Sequence, residues 1–113
     1  MSVQPGTYNI TLQRRADYSL LLQFKDSTDS AIDLTGYTAY AQVWNTARTK
    51  KYADFAIAYT DRSNGQITIS LTDTQTATFS DFLQYDVLLE NSSGIREYYL
   101  EGSVTVSEGY TSP

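Results

Sequence analysis

Short runs of strictly alternating apolar and polar residues, each closed by a turn signal, constrain this chain more than any other feature. In "ITISLT" (67–72) Ile67, Ile69 and Leu71 alternate with Thr68 and Ser70, the period of a strand with one buried face. Tyr8, Ile10 and Leu12 repeat the pattern in "YNITLQR" (8–14), as do Tyr18, Leu20, Leu22 and Phe24 in "YSLLLQF" (18–24). "YTAYAQVW" (37–44) sets Tyr37, Ala39, Ala41 and Val43 against Thr38, Tyr40, Gln42 and Trp44, giving one small apolar face and one face with two aromatics. Phe55, Ile57 and Tyr59 align in "FAIAYT" (55–60), and "QYDVLLE" (84–90) and "REYYLEGSVTVSE" (96–108) complete the set. The last run places Tyr98, Leu100, Gly102, Val104 and Val106 in one phase. About seven short strands separated by regular turn signals predict an all-β fold, an antiparallel immunoglobulin-like β-sandwich.

The intervening segments read as turns. In "KDSTDSAIDLTG" the apolar Ile32 and Leu34 anchor a polar loop, Asp33 and Thr35 bond neighbouring backbone, and Gly36 supplies a positive φ. "NTARTKKYAD" reads as a polar, locally basic connection, and Asn64-Gly65 as a hairpin turn with two positive φ values. "TDTQTATFSDF" breaks the alternation: Thr72 or Asp73 caps one short helical turn that points Ala77 and Phe79 at the core. Gly94 in "NSSG" turns the final hairpin. The whole chain, 1–113, reads as a single domain with an N-terminal arm at 1–6 and a loose tail at 109–113.

Composition removes most chemistry. The chain has no cysteine and no histidine, so disulfides, thiol catalysis, imidazole catalysis and His/Cys zinc sites are excluded. A net charge of -5 works against binding nucleic acid or an anionic membrane face. No apolar run reaches a membrane-spanning length, and "MSVQPGTYN" lacks the basic and apolar regions of a signal peptide. Asp26, Asp29 and Asp33 share one loop but miss the spacing of a calcium loop, and turn capping is the simpler reading. The basic "RTKK" beside Tyr52 reads as a solvated loop tip before a phosphate or glycan patch. The sequons at Asn9 and Asn91 read as coincidental without a signal peptide. Asp81, Asp86, Glu90 and Glu97 suggest glycosidase carboxylates, but small sandwiches rarely supply the cleft that chemistry needs. No catalytic residue, cofactor or metal is therefore expected, and the protein is not read as an enzyme.

Ten tyrosines are the informative excess. Tyrosine forms strands well, but it is also enriched at interfaces, where an apolar ring and a polar tip serve together. Tyr40 and Tyr99 fall where alternation predicts exposure, beside Trp44 on the outer phase of its strand.

Three stretches in order, "IDLTGYTAYAQVW" (32–44), "GQITISLTDTQTATF" (65–79) and "YDVLLENSSGIREYYLEGSVTVSE" (85–108), resemble small β-sandwich domains of tailed bacteriophages. Such domains occur alone as small virion proteins and at the N-termini of baseplate or tail-fibre subunits, including lactococcal baseplate upper proteins. The resemblance implies a turn and core strand in the first stretch. It implies a strand closed by a helical turn at Thr72, Gln75, Thr76 and Ala77 in the second, and the closing hairpin in the third. The sequence departs from that pattern at "FSDFLQYD", where a glycine turn is expected, and it does not continue into a fibre. These motifs are structural, so the resemblance carries no site residues.

The function expected from this resemblance is that of a virion structural protein, assembled in the host cytoplasm, that binds other tail, baseplate or capsid subunits and is a homo-oligomer or present in multiple copies in the particle. A tail or baseplate adaptor comes first, a capsid decoration protein second and a host-glycan-binding module third. The expected interface residues are Pro5, Tyr40, Trp44 and Tyr99.

Overall fold

The alternating runs become strands because each can bury one face, and the two sheets they build bury those faces against each other. The computed structural model describes residues 6–26 and 28–110. The strands are β1 (Gly6–Thr7), β2 (Ile10–Gln13), β3 (Tyr18–Gln23), β4 (Thr38–Trp44), β5 (Lys51–Asp54), β6 (Ala56–Asp61), β7 (Gln66–Leu71), β8 (Phe82–Glu90) and β9 (Arg96–Ser107). A 3-10 turn at Arg62–Asn64 joins β6 to β7, and α1 (Asp73–Thr76) joins β7 to β8. The larger sheet has the order β1-β9-β8-β4-β5 with β2 also on β9, and the smaller sheet the order β3-β7-β6. A β9-β8-β4 sheet extended by β5, facing β3-β7-β6, is the strand arrangement of an immunoglobulin-like sandwich. The cystine and buried tryptophan of antibody domains are absent: there is no cysteine, and Trp44 lies on the outward phase of β4.

Two expectations about the strands are corrected. The basic segment read as a connection contains β5, which pairs with β4 through Val43↔Ala53 before the chain crosses to the smaller sheet at Phe55. Its alternation is too short and too lysine-rich to register, although Ala53 is buried. The sandwich is also not wholly antiparallel. β1 and β2 run parallel to β9, with Gly6↔Leu100 and Ile10↔Val104 in one register.

The core joins both sheets. Ile10, Leu34, Val43, Ile67, Ile69, Leu83, Val87, Leu89 and Val104 are almost completely buried, each such side chain contributing about 1.5–3 kcal/mol by its removal from water. Edge-to-face contacts of Phe55 with Tyr85 and of Tyr52 with Phe79 extend it. The turn of residues 31–37 behaves as expected: Ile32 and Leu34 are buried, Asp33 accepts from the Thr35 amide, and Gly36 has φ +83°. Its anchor is the 3-10 turn, whose Arg62 carbonyl accepts from the Leu34 amide and whose guanidinium stacks on Tyr59 and donates to the Tyr37 carbonyl.

The β6–β7 connection differs from the expected two-residue turn. Gly65 alone has a positive φ, +71°, and Asn64 belongs to the 3-10 turn. A Cβ on Gly65 would stand 2.7 Å from the carbonyls of Phe24 and Ile32, so the glycine is required by close packing as well as by its φ. A similar crowding fixes the parallel strand. The Tyr85 hydroxyl donates to the Tyr8 carbonyl, and a Cβ on Gly102 would stand 2.1 Å from that same oxygen.

Of the two cap candidates α1 uses Thr72, and in a capping box: Thr72 accepts from the Gln75 amide while the Gln75 side chain accepts from the Thr72 amide. The residue it aims at the core is Thr76, fully buried, while Ala77 is exposed and Phe79 is buried as expected. The Thr76 hydroxyl accepts from the Ala16 amide at 3.2 Å and donates to the Ala16 carbonyl at 2.9 Å, so it acts as one more ladder residue beside β3. Thr76→Val keeps the volume and strands both Ala16 groups. The expected loss is about 1–3 kcal/mol in urea unfolding, with Thr76→Ser retaining most of the stability.

Candidate functional site

Burial of one phase of β4 and β8 fixes the opposite phase on the outer face of the larger sheet. The registers stack these outward residues into rows across three strands. Tyr40, Leu88 and Tyr98 form one row. Gln42, Asp86 and Glu101 form the next, with Asp54 of β5 beside Gln42. Trp44, Gln84 and Ser103 form a third. The rows enclose two adjoining shallow hollows of about 200 and 250 Å³ that share Gln42, Asp86 and Tyr98.

The first row is apolar and accessible: Tyr40 is 44% exposed and Tyr98 52%. The third is roofed from the β4–β5 hairpin, where Asn45 accepts from the Thr49 and Lys50 amides and Arg48 takes φ +57°. That turn swings the Arg48 guanidinium to 4.6 Å from the Trp44 ring centroid. The Trp44 indole N–H donates to Gln42 Oε1 at 2.8 Å, tying this row to the acidic one.

In the acidic row Asp86 directly faces Glu101 across the β8–β9 ladder, an arrangement of like charges that opposes pairing. Burial pushes the Asp86 carboxyl above its ordinary value, Glu101 pushes it further, and Arg48 pulls it back. Arg96 and Glu90 form an ion pair at the border of the aromatic row, across the same ladder.

Of the four residues expected at an interface, the fold brings Tyr40 and Trp44 onto this face. Tyr99 is not on it. A register shift between Val87 and Leu88 pairs Val87 with Leu100 and Leu88 with Tyr98, which leaves Tyr99 as the extra residue of a bulge. Its ring packs against the core, edge to face on Phe24 at 5.8 Å. Burial, with Glu97 next in strength, pushes its hydroxyl up to about 12. The same bulge reverses the expected phase of Tyr98, which faces outward in Tyr99's place. Pro5 lies outside the described residues. Sequence reasoning missed Asp86 as an interface residue, and also Leu88, Arg48 and Tyr98; the alternation of β8 marks the first two as outward, whereas the bulge and the hairpin tip leave no periodic signal.

The remaining polar motifs have structural roles. Asp26 accepts from the Thr28 and Ser30 amides, and among the described residues no group of three potential metal ligands exists. The Thr28 hydroxyl, which also donates to Asp26 at 2.6 Å, does most to hold the Asp26 carboxyl below its usual value, and the two amides add to it. Asn9 Oδ1 accepts from the Ser103 amide and Asn91 Oδ1 from the Ser93 and Ile95 amides, so both sequon side chains fasten backbone. Lys50 lies over Tyr52, and Lys51 pairs with Asp54 at 3.0 Å. The suspected carboxylates do not converge. Asp81 binds Arg14, Glu90 binds Arg96, Asp86 sits mid-sheet, and Glu97 pairs with the inward Leu89.

No family model and no curated protein sequence matches the chain. Among solved structures it is similar to the filamin domain of Lin-41, at 13% identity over 88% of this chain and 84% of that one, TM-score 0.49. It is also similar to the N-terminal Ig1-2 module of the Drosophila receptor protein tyrosine phosphatase DLAR, at 13% identity and TM-score 0.48, over 93% of this chain and 47% of that one. A third similarity is to a structure from photo-crosslinking work on multimeric cell-adhesive interactions of VGSC beta subunits, at 14% identity over 98% and 99%, TM-score 0.47.

The Asp86–Glu101 opposition has a measurable signature. A carboxyl raised in the folded state holds its proton more tightly there than in the unfolded chain. Its contribution to stability is therefore full below the unfolded value near 4 and is lost as pH rises through the folded value. Asp86→Asn is expected to raise stability at pH 7 by roughly 0.2–1 kcal/mol and to flatten the decline between acid and neutral pH, both read from urea unfolding across that range. A variant less stable than the parent at pH 7 would show that Arg48 outweighs Glu101.

Proposed function

We propose that the protein is a non-enzymatic structural subunit of a tailed-bacteriophage virion, a tail, baseplate or fibre adaptor that works by protein–protein assembly through the outer face of its larger sheet. The observation that carries the assembly reading is the row Tyr40–Leu88–Tyr98 beside Trp44, in which both tyrosines are exposed and which rests on β4 and β8, strands whose opposite phase is buried. Aromatic side chains fixed on a rigid sheet lose little freedom on binding and bury large areas, which makes them effective interface anchors. The hollows beside them are shallow, a shape suited to a protein surface more than to an enclosed substrate. The resemblance of residues 32–44, 65–79 and 85–108 to phage sandwich domains supports the virion assignment.

Capsid decoration is the alternative placement within the same class, and copy number separates the two. Quantitative mass spectrometry of purified particles should find a few copies, in step with tail symmetry; a number comparable to the major capsid protein would favour decoration, and none would remove the virion reading. A glycan-binding role is the second reading, favoured by Trp44 and Tyr98 flanking Gln42 and Asp86 in one hollow. Glycan-array binding that a Trp44→Ala substitution abolishes would support it.

Tyr40→Ala tests the face directly. Incorporation into particles, or affinity for the neighbouring subunit, should fall roughly 5–30-fold, corresponding to about 1–2 kcal/mol. The isolated variant should keep its near-ultraviolet circular dichroism and melting temperature. Unfolding of the variant would instead place Tyr40 among the residues that hold the sandwich together.

A further inference from the structure

We infer that the free edge of β3 pairs antiparallel with β3 of a second copy of this chain, on a two-fold axis at Leu21, a contact separate from the outer face. Four strand edges bound the two sheets, and three carry features that discourage pairing. β5 is short and begins at Lys51, with a register shift beside it. β6 shifts register between Ala58 and Asp61. The edge formed by β1 and β2 is interrupted between Thr7 and Ile10. β3 has none of these: six residues without lysine, proline or glycine, in unbroken register with β7 from Tyr18↔Leu71 to Gln23↔Gln66.

The backbone groups that point outward along this edge can be identified. The Phe24 amide donates to the Gly65 carbonyl, and both Ala16 groups bond Thr76, so even-numbered residues face β7 and α1. By alternation, the amides and carbonyls of Ser19, Leu21 and Gln23 face the open edge. Leu21 itself is 56% exposed at the middle of the strand.

The edge is complementary to itself in one register. With Leu21 opposite its own copy, Ser19 faces Gln23, Leu20 faces Leu22 and Tyr18 faces Phe24. Asp17 then faces Lys25 at both ends. Asp17 has one oxygen bonded to the Asp73 amide and, among the described residues, Lys25 has only an exposed pair with Asp29 at 3.5 Å, so both retain capacity for a new partner. Sliding by two residues to centre Leu20 sets Arg15 opposite Lys25, and sliding the other way to centre Leu22 sets Lys25 opposite Ser19. Of the three, the Leu21 register alone sets Asp17 opposite Lys25 at the two ends of the strand. It also continues the inner-face row Tyr18, Leu20 and Leu22, which a single copy leaves half-buried.

Sedimentation equilibrium of the full chain tests this. The parent should be a dimer that dissociates on dilution, Leu21→Lys should weaken it at least tenfold, and Tyr40→Ala should leave it unchanged. Should Leu21→Lys fail to fold, Lys25→Asp, which sets two acids opposite each other, should weaken the dimer in the same direction. The chain has no cysteine, so single substitutions report the register. In a facing pair the Cα atoms lie about 5.5 Å apart, within disulfide range. Leu21→Cys should therefore cross-link on mild oxidation, and Ser19→Cys, whose copies lie roughly 14 Å apart along the strands, should not. A monomer up to about 1 mM, a dimer indifferent to both Leu21→Lys and Lys25→Asp, or equal cross-linking at 19 and 21 would overturn the proposal.

Discussion

Burial of the inward phase of β8 is the constraint on which the remaining structure depends. Leu83, Tyr85, Val87 and Leu89 are buried between the two sheets, and β4 and β9 flank the strand on either side. A one-residue slip would exchange core and surface completely. The register is therefore strongly specified, and with it the positions of Gln84, Asp86 and Leu88 on the opposite face. The rows of the candidate site are the reverse of the core's own alternation. That is why the backbone beneath the exposed patch is fixed by the core, with the Trp44–Gln42 bond and the Arg48–Trp44 contact only adding to it.

A chain without cysteine closes its sandwich by other means. Arg62 joins the 3-10 turn to Tyr59 and Tyr37, Thr76 continues the smaller sheet into α1, and Tyr85 fastens the parallel strand through the Tyr8 carbonyl. Each device gives a part-buried backbone group a polar side-chain partner, and leaving such a group unpaired costs more than an ordinary hydrogen bond contributes. Against this economy the facing carboxylates of Asp86 and Glu101 stand out, because the sheet carries them at a cost to its own pairing.

What was legible in the sequence follows the same physics. β4, β7 and β8 were readable because a period of two with one buried face leaves an unmistakable trace, and the pair Thr72-Asp73 announced α1 through its capping chemistry without saying which of the two is the cap. β5 was not readable, since Lys51 and Tyr52 mask the single buried Ala53. The bulge at Tyr99 was invisible because an inserted residue inverts the phase without altering composition, so Tyr98 and Tyr99 exchanged their expected roles. Of the candidate site, Tyr40 and Trp44 could be named from alternation, and the alternation of β8 also marks Asp86 and Leu88 as outward. Tyr98 and Arg48 depend on the bulge and on where the hairpin folds over, and local pattern holds no record of either.

The parallel pairing of β1 and β2 with β9 sets how the domain bears load. Gly6 lies beside Leu100 and Gln13 beside Ser107, so the two chain ends leave from opposite ends of the same ladder. Tension applied between them slides the strands along each other and strains the ladder's bonds together, where an antiparallel hairpin would open one bond at a time. Resistance to such a pull is set by the rate of unfolding, not by equilibrium stability. The ladder, with Gly102 letting Tyr8 close against it, is thus the element of this sandwich placed to act as its mechanical clamp.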